Sequence, residues 1–339
     1  MKIFTAAQIH ELDNYTITHE PIKSIDLMER AAKTITRAIM DEWTDRTPMV
    51  IFAGPGNNGG DSLAVARLLA EENYKVSVYL FNIHNKLSDD CAANKQRLID
   101  SKRVGHFTEV TLNFDPPELT EDMVVIDGLF GSGLNKPLIG GFASLVKYIN
   151  QCPAKVVSID IPSGLMCEDN TYNIHSNIIR ADLTLTLQQK KLSMMMADCQ
   201  KYIGRLRVLD IRLSKEYIDK TEANCRILEE QDVRRLLMPR DDFAHKGAMG
   251  NALIIAGSYG MAGAAVLATR ACLRSGVGKV TVHTPRRNYL VMQTAVPEAV
   301  MQMDHEETYF SESVDSTDFD ALGIGPGLGL VENTAIALI

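Results

Sequence analysis

Five short, mostly apolar runs constrain this chain more than any other feature: MVIFA at 49–53, VSVYL from Val76, VVID ending at Asp127, VVSID ending at Asp160 and LTLTL from Leu183. Stretches of helical spacing lie between some of them, near 89–101 and 141–150 and at Leu63, Val65, Leu68 and Leu69. This alternation predicts an α/β fold with a parallel sheet covered by helices on both faces. Ligands of such folds sit beyond the C-terminal ends of the strands, so the turns that follow the runs are where chemistry is expected. Ahead of the first run, Thr5 and Gln8 fit a capping box. Ser24 is placed to cap a second helix, in which Leu27, Met28, Ala31, Ala32, Ile35 and Ile39 follow helical spacing.

The polar, charged stretch 213–245 reads as a domain boundary. A second α/β pattern follows it: NALIIAG is a strand entering a glycine turn, AAVLATRACLRSG a helix, KVTVHT another strand, and ALGIGPGLG a later strand and turn. A chain of 339 residues suits two domains, here 1–215 and 241–339 with 216–240 between them. With about 110 residues from 228 onward, the second domain is expected to be incomplete.

A net charge of −8 argues against broad binding to nucleic acid or to an anionic membrane. No run approaches the roughly 20 apolar residues of a membrane helix, and no signal peptide is recognisable at the start. Cys91, Cys152, Cys167, Cys199, Cys225 and Cys272 form no C-x-x-C pair, which speaks against zinc. Free thiols in a reducing, cytoplasmic compartment are the expectation. The eight histidines show no ligand spacing; His245, beside Lys246 and Gly247, is either functional or a cap.

AGPGNNGGDS, Ala53 to Ser62, falls between a strand and a helix. Gly54, Gly56 and Gly59 satisfy G-x-G-x-x-G. A dinucleotide fold also wants an acid at the end of the second strand, roughly 20 residues on. That strand ends here near Phe81 and Asn82, and Asp61 at the helix start opposes a pyrophosphate, so a nicotinamide dehydrogenase is disfavoured. Tight packing alone would explain the glycines, but Asn57, Asn58 and Asp61 are convergent polar groups that a plain turn does not need. Asp127 precedes a loop, Gly128 to Leu134, that carries Ser132 and is followed by Asn135; Asp160 precedes Pro162 and Ser163. Any one of these Asp residues could simply cap a turn. Three at strand ends point to a shared cleft. Asn and Ser oxygens beside carboxylates suit a hard cation rather than a transition metal.

NNGGD at 57–61, DGLFGSGL at 127–134 and DIPSGL at 160–165, in this order and spacing, resemble the NAD(P)H-hydrate epimerase family over roughly residues 1–215. The resemblance implies a Rossmann-like three-layer α/β/α sandwich, a substrate of NADH or NADPH hydrated at nicotinamide C6, and a potassium ion. It implies potassium ligands at Asn58, Asp127 and Ser163. Contacts to the hydrated cofactor are implied at Asn57, Asn58, Gly59, Gly60 and Asp61, along the loop Gly131, Ser132, Gly133, Leu134, Asn135, Lys136 and Pro137, and at Asp160. The chain departs from the family pattern at Ser62 and Met166.

From His245 the second unit resembles ADP-dependent NAD(P)H-hydrate dehydratases, through HKGAMGNALIIAGSYGMAGAAVLATRACLRSGVGKVTV and GIGPGLG at 323–329. That resemblance implies an incomplete ribokinase-like α/β domain, substrate contacts at Ala264 and Gly327, and use of ADP or ATP. The family's phosphate loop and catalytic Asp belong to a later G-x-G-D-type motif, which does not appear before Ile339.

The implied activity is metabolite repair. A hemiaminal carbon such as C6 inverts by ring opening or by loss and return of hydroxide. Either route needs a group that takes and returns a proton; Asp160 is the first candidate and Asp61 the second. A homo-oligomer paired through the apolar N-terminal helices is expected. The competing classes are a ribokinase-like small-molecule kinase and a non-catalytic nucleotide-binding protein.

Overall fold

The computed structural model describes residues 1–237 and 239–339. The chain forms two compact units, Met1–Val233 and Arg234–Ile339. The first unit begins with β1 (Lys2–Ile3), α1 (Ala6–His19) and α2 (Ser24–Met40). It continues as β2 (Met49–Ala53), α3 (Asn57–Glu71), β3 (Val76–Phe81), α4 (Asp89–Ser101), β4 (His106–Val110), β5 (Val124–Gly128), α5 (Gly140–Gln151) and β6 (Lys155–Ile159). Then come β7 (Leu183–Leu187), α6 (Gln200–Ile203), β8 (Arg205–Leu209), α7 (Lys215–Lys220) and β9 (Cys225–Arg226), and α8 (Glu230–Leu236) runs across the boundary between the units.

Strands β2 to β8 form one parallel sheet in the order β4-β3-β2-β5-β6-β7-β8. Every residue of β2 is buried, and its side chains alternate between two cores, as the period of two requires. Met49, Ile51 and Ala53 join Ile35, Ile39 and Leu63 on one face. Val50 and Phe52 join Leu145, Val146 and Ile149 on the other. The apolar runs thus give a three-layer α/β/α unit.

The capping box at α1 is formed: the Thr5 hydroxyl accepts from the Gln8 N–H at 3.2 Å, and the Gln8 carboxamide accepts from the Thr5 N–H at 3.1 Å. Ser24 is not a cap. It lies within α2, whose N-cap is Lys23, and its hydroxyl donates to Asp90 at 2.5 Å. The apolar stripe of α2 is buried inside this unit, largely against α3 and the sheet.

Residues 216–233, read as a linker from their polarity, pack on the first unit. β9 pairs antiparallel with β1. The Lys2 ammonium donates to the carbonyls of Ile218, Asp219 and Thr221 at 2.7–2.8 Å, a cationic cap on the end of α7. Polar composition hid this because the stretch is held by backbone pairing and charge. All six cysteines are free. Among the described residues no helix is long and apolar enough to cross a membrane.

The second unit contains β10 (Asn251–Ile255), α9 (Ala262–Arg274), β11 (Lys279–Thr284), α10 (Tyr289–Ala295), β12 (Val300–Met303), β13 (Ala321–Ile324) and α11 (Glu332–Leu338). Its parallel sheet runs β12-β11-β10-β13 over a core that includes Ile254, Val266, Val280, Val282 and Met292. His245 accepts from the Gly247 N–H at 3.1 Å and caps a short turn. His283 hydrogen-bonds Asp304 at 3.0 Å, and the Asp304 oxygens also accept from Glu306 and Ser311, so this buried pair ties loops together.

Candidate functional site

The sheet order reverses between β2 and β5: the chain adds β3 and β4 on one side of β2 and then returns to the other. A cleft of about 600 Å³ opens there, at the C-terminal strand ends. α1 lies along it and presents Ala6, Ile9, His10 and Asp13, the i, i+3, i+4 and i+7 positions of one helical face.

The glycine turn after β2 divides its labour. A Cβ on Gly54 would lie 1.8 Å from the Leu129 carbonyl oxygen, and one on Gly59 would lie 1.7 Å from the Gly54 oxygen. Gly54 thus lets the turns after β2 and β5 meet, and Gly59 lets the first turn of α3 pack on the backbone just after β2. Gly60 packs against Met28, where a Cβ would approach the sulfur to 2.9 Å. Gly56 faces open space and lines the cleft with Asn57, Asn58 and Asp61. It is the N-cap of α3 and supplies no side chain to the first-turn amides, which remain available to an anion. Ser62 turns inward, donates to the Asn58 carbonyl at 2.7 Å and fits because position 128 is glycine.

Asp160 follows β6 with φ +66°, a left-handed conformation that Asp tolerates better than most side chains. One carboxylate oxygen accepts from the Ser132 N–H at 3.2 Å. The other is ion-paired with the Lys191 ammonium, which also donates to the Thr186 hydroxyl at 2.7 Å. Lys191 is 1% exposed, and the sequence reading did not single it out. Asp61 is buried beside them. Burial, then the negative charges of Asp160 and Asp13, raise its carboxyl well above the ordinary range and favour its neutral form. The objection that Asp61 would repel an anionic ligand therefore loses its force.

Asp127 is fully buried beneath the cleft. It accepts from the Ser158 hydroxyl at 2.7 Å, from the Ser163 hydroxyl at 2.5 Å and from the Ser163 N–H at 2.9 Å. All are neutral donors, and burial raises its pKa despite these bonds. The Asn58 side chain packs at Gly131, and its buried amide nitrogen has no partner.

The cleft wall therefore unites Asn57, Asn58, Asp61, Asp160 and the loop Gly131 to Asn135. Ser163 and Asp127 sit directly below it, whereas Gly59, Gly60, Lys136 and Pro137 do not line it. In the second unit, Ala264 in the first turn of α9 meets Gly327 in the turn after β13. Gly327 has φ +80°, and a Cβ there would lie 3.0 Å from that of Ala264.

Comparison with known proteins places the chain in a family. Residues 24–193 match the model for the YjeF-related protein N-terminus, and residues 252–339 match that for NAD(P)H-hydrate dehydratase. The chain is 31% identical to a bifunctional NAD(P)H-hydrate repair enzyme of Coxiella burnetii, over 96% of this chain and 65% of that protein. The corresponding figures are 32%, 97% and 64% for that of Moorella thermoacetica. The chain thus spans just under two thirds of the length of these relatives. The crystal structure of yeast ynu0 shares the fold, with a TM-score of 0.53 at 20% identity, over 65% of this chain and 93% of the yeast chain. The chain belongs to the YjeF-related protein N-terminus family and carries, after that domain, a segment that matches NAD(P)H-hydrate dehydratase.

Proposed function

We propose that the first unit interconverts the two C6 epimers of hydrated NADH or NADPH. The observation that carries this reading is the convergence of three separated motifs on one cleft, with a buried Asp160–Lys191 pair in its wall. The naming of its relatives as bifunctional NAD(P)H-hydrate repair enzymes supports it. Asn57, Asn58 and the loop Gly131 to Asn135, with Gly59 and Gly60 shaping the turn, hold the hydrated cofactor, and the first-turn amides of α3 receive its phosphates. Asp160 takes the proton of the C6 hydroxyl and returns it after the carbon has presented its other face. Asp61, in its neutral form, donates a hydrogen bond to the bound ring.

Asn58, Asp127 and Ser163 would hold a potassium ion. The fit rests on the donor set: a buried carboxylate with neutral partners, a hydroxyl, and an amide whose buried nitrogen is unpartnered and whose orientation could reverse. A cation there supplies the positive charge that buried Asp127 lacks. The second unit belongs, on this reading, to an ADP- or ATP-dependent dehydratase that restores NAD(P)H, with Ala264 and Gly327 at its substrate.

The test follows epimer interconversion by chromatography, with potassium and without ADP or ATP. Faster equilibration than in buffer is expected. Tight binding without acceleration would mark a binding protein instead.

A further inference from the structure

The cleft has a carboxyl that no motif announces. Asp13 projects from α1 on the face that also carries Ala6, Ile9 and His10, and it lines the cleft with Asp61 and Asp160. The capping box fixes the start of this helix, and the Glu168 carboxylate accepts from the Ala6 N–H at 2.5 Å. Farther along, the Thr16 hydroxyl accepts from the Ser214 N–H at 2.9 Å. The helix is thus anchored on both sides of Asp13. The charged and titratable groups around it are Asp61 from α3, Asp160 after β6, Lys191 after β7 and His10 on α1 itself. Lys191 is committed to Asp160.

We propose that Asp13 is a further catalytic residue, which gives a proton to the ring nitrogen of the hydrated nicotinamide and takes it back, while Asp160 serves the C6 hydroxyl. The inference rests on the epimerase reading.

Ring opening needs both groups. Asp160 takes the hydroxyl proton, the O–H electrons form the C6=O bond, the C6–N1 bond breaks, and its electron pair takes a proton from Asp13. The chain rotates about C5–C6. Asp13 then recovers the proton from N1, N1 closes on the other face of the carbonyl carbon, and Asp160 returns its proton to oxygen. All atoms and electrons are recovered, and no oxidant or reductant enters. One negative charge passes between two carboxyls beside a fixed Lys191, so the total charge of the cleft stays constant.

The environment suits this role. Burial, and then the negative charge of Asp160, push Asp13 up to about 7, with Lys191 pulling the other way. A carboxyl poised there gives and takes protons near neutral pH. Burial and its acidic neighbours also raise Asp61, which serves in its neutral form as a hydrogen-bond donor.

The test uses the full chain with Asp13→Asn, which keeps the size of the side chain and removes its acidic proton. Epimer interconversion is measured against pH and substrate concentration, alongside wild type and Asp13→Glu. The proposal expects kcat to fall roughly 100-fold or more, KM to change little, and the alkaline limb of the wild-type profile, centred near pH 7, to vanish. Asp13→Glu should restore part of kcat with a displaced limb, which also decides the matter if the Asn protein folds poorly. An unchanged kcat with the limb in place in both variants would overturn the proposal while leaving the epimerase reading intact. No acceleration by the wild-type chain would overturn both.

Discussion

Asp13, Asp61 and Asp160 surround one cleft, but their partners differ. Asp160 has a buried cation, Asp61 has burial and the like charges of Asp160, Asp13 and Asp90, and Asp13 has burial and the like charge of Asp160 against the pull of Lys191. Environments that push neighbouring acids apart are how one site obtains both an acid and a base. The arrangement also costs stability. The Asp13 carboxyl is raised in the folded protein from 3.8 to about 7, so the unfolded chain ionises first as pH rises. Folding stability is therefore lost between about pH 4 and pH 7. Asp13→Asn should raise stability at pH 8 by roughly 2–4 kcal/mol and change it little near pH 3. Urea unfolding at the two pH values measures this, and equal midpoints at pH 8 would count against it. Lys191→Met should cost about 3–5 kcal/mol, because it strands Asp160 beside a buried apolar group. Adding Asp160→Asn should recover part of that loss, and a double-mutant cycle measures the coupling.

At the scale of elements, the sequence showed what is buried on both faces and hid what is half-exposed. Strands β2, β5 and β7 stood out because their runs are apolar. The edge strands β4, HFTEV, and β8, RLRVL, did not, since exposed positions dilute their pattern. The Asp127, Asp160 and Asn58 turns were legible as polar groups at strand ends. Asp13 was not, because it sits seven residues into a helix ordered by capping and packing, and its approach to the cleft is a tertiary contact. Lys191 was missed because a Lys in a polar run such as QQKK ordinarily points to solvent. The glycine turn is the element where sequence and packing constrain each other most. Gly54→Ala places a methyl group against the Leu129 carbonyl, so the turns after β2 and β5 must part. Thermal unfolding should show a marked loss for this variant, whereas Gly56→Ala, which meets open space, should show little.

For the whole molecule, the cation site proposed at buried Asp127 would link stability to cation supply. If potassium binds there in the native state alone, the melting temperature of the chain should rise with potassium concentration at constant ionic strength, by the mass-action term for a native-state ligand. Asp127→Asn should abolish that dependence, and a melting curve that ignores potassium in the wild type would remove the cation from the account. Two α/β units follow one another along the chain, and the epimerase reading assigns catalysis to the cleft of the first. The most direct measurement compares wild type with Asp160→Asn for interconversion of the R and S epimers of hydrated NADH, with potassium and no ADP or ATP. The account predicts equilibration well above the buffer rate for wild type, and a fall to near the buffer rate for Asp160→Asn with binding retained. Wild-type equilibration no faster than buffer, or an Asp160→Asn protein as fast as wild type, would contradict it.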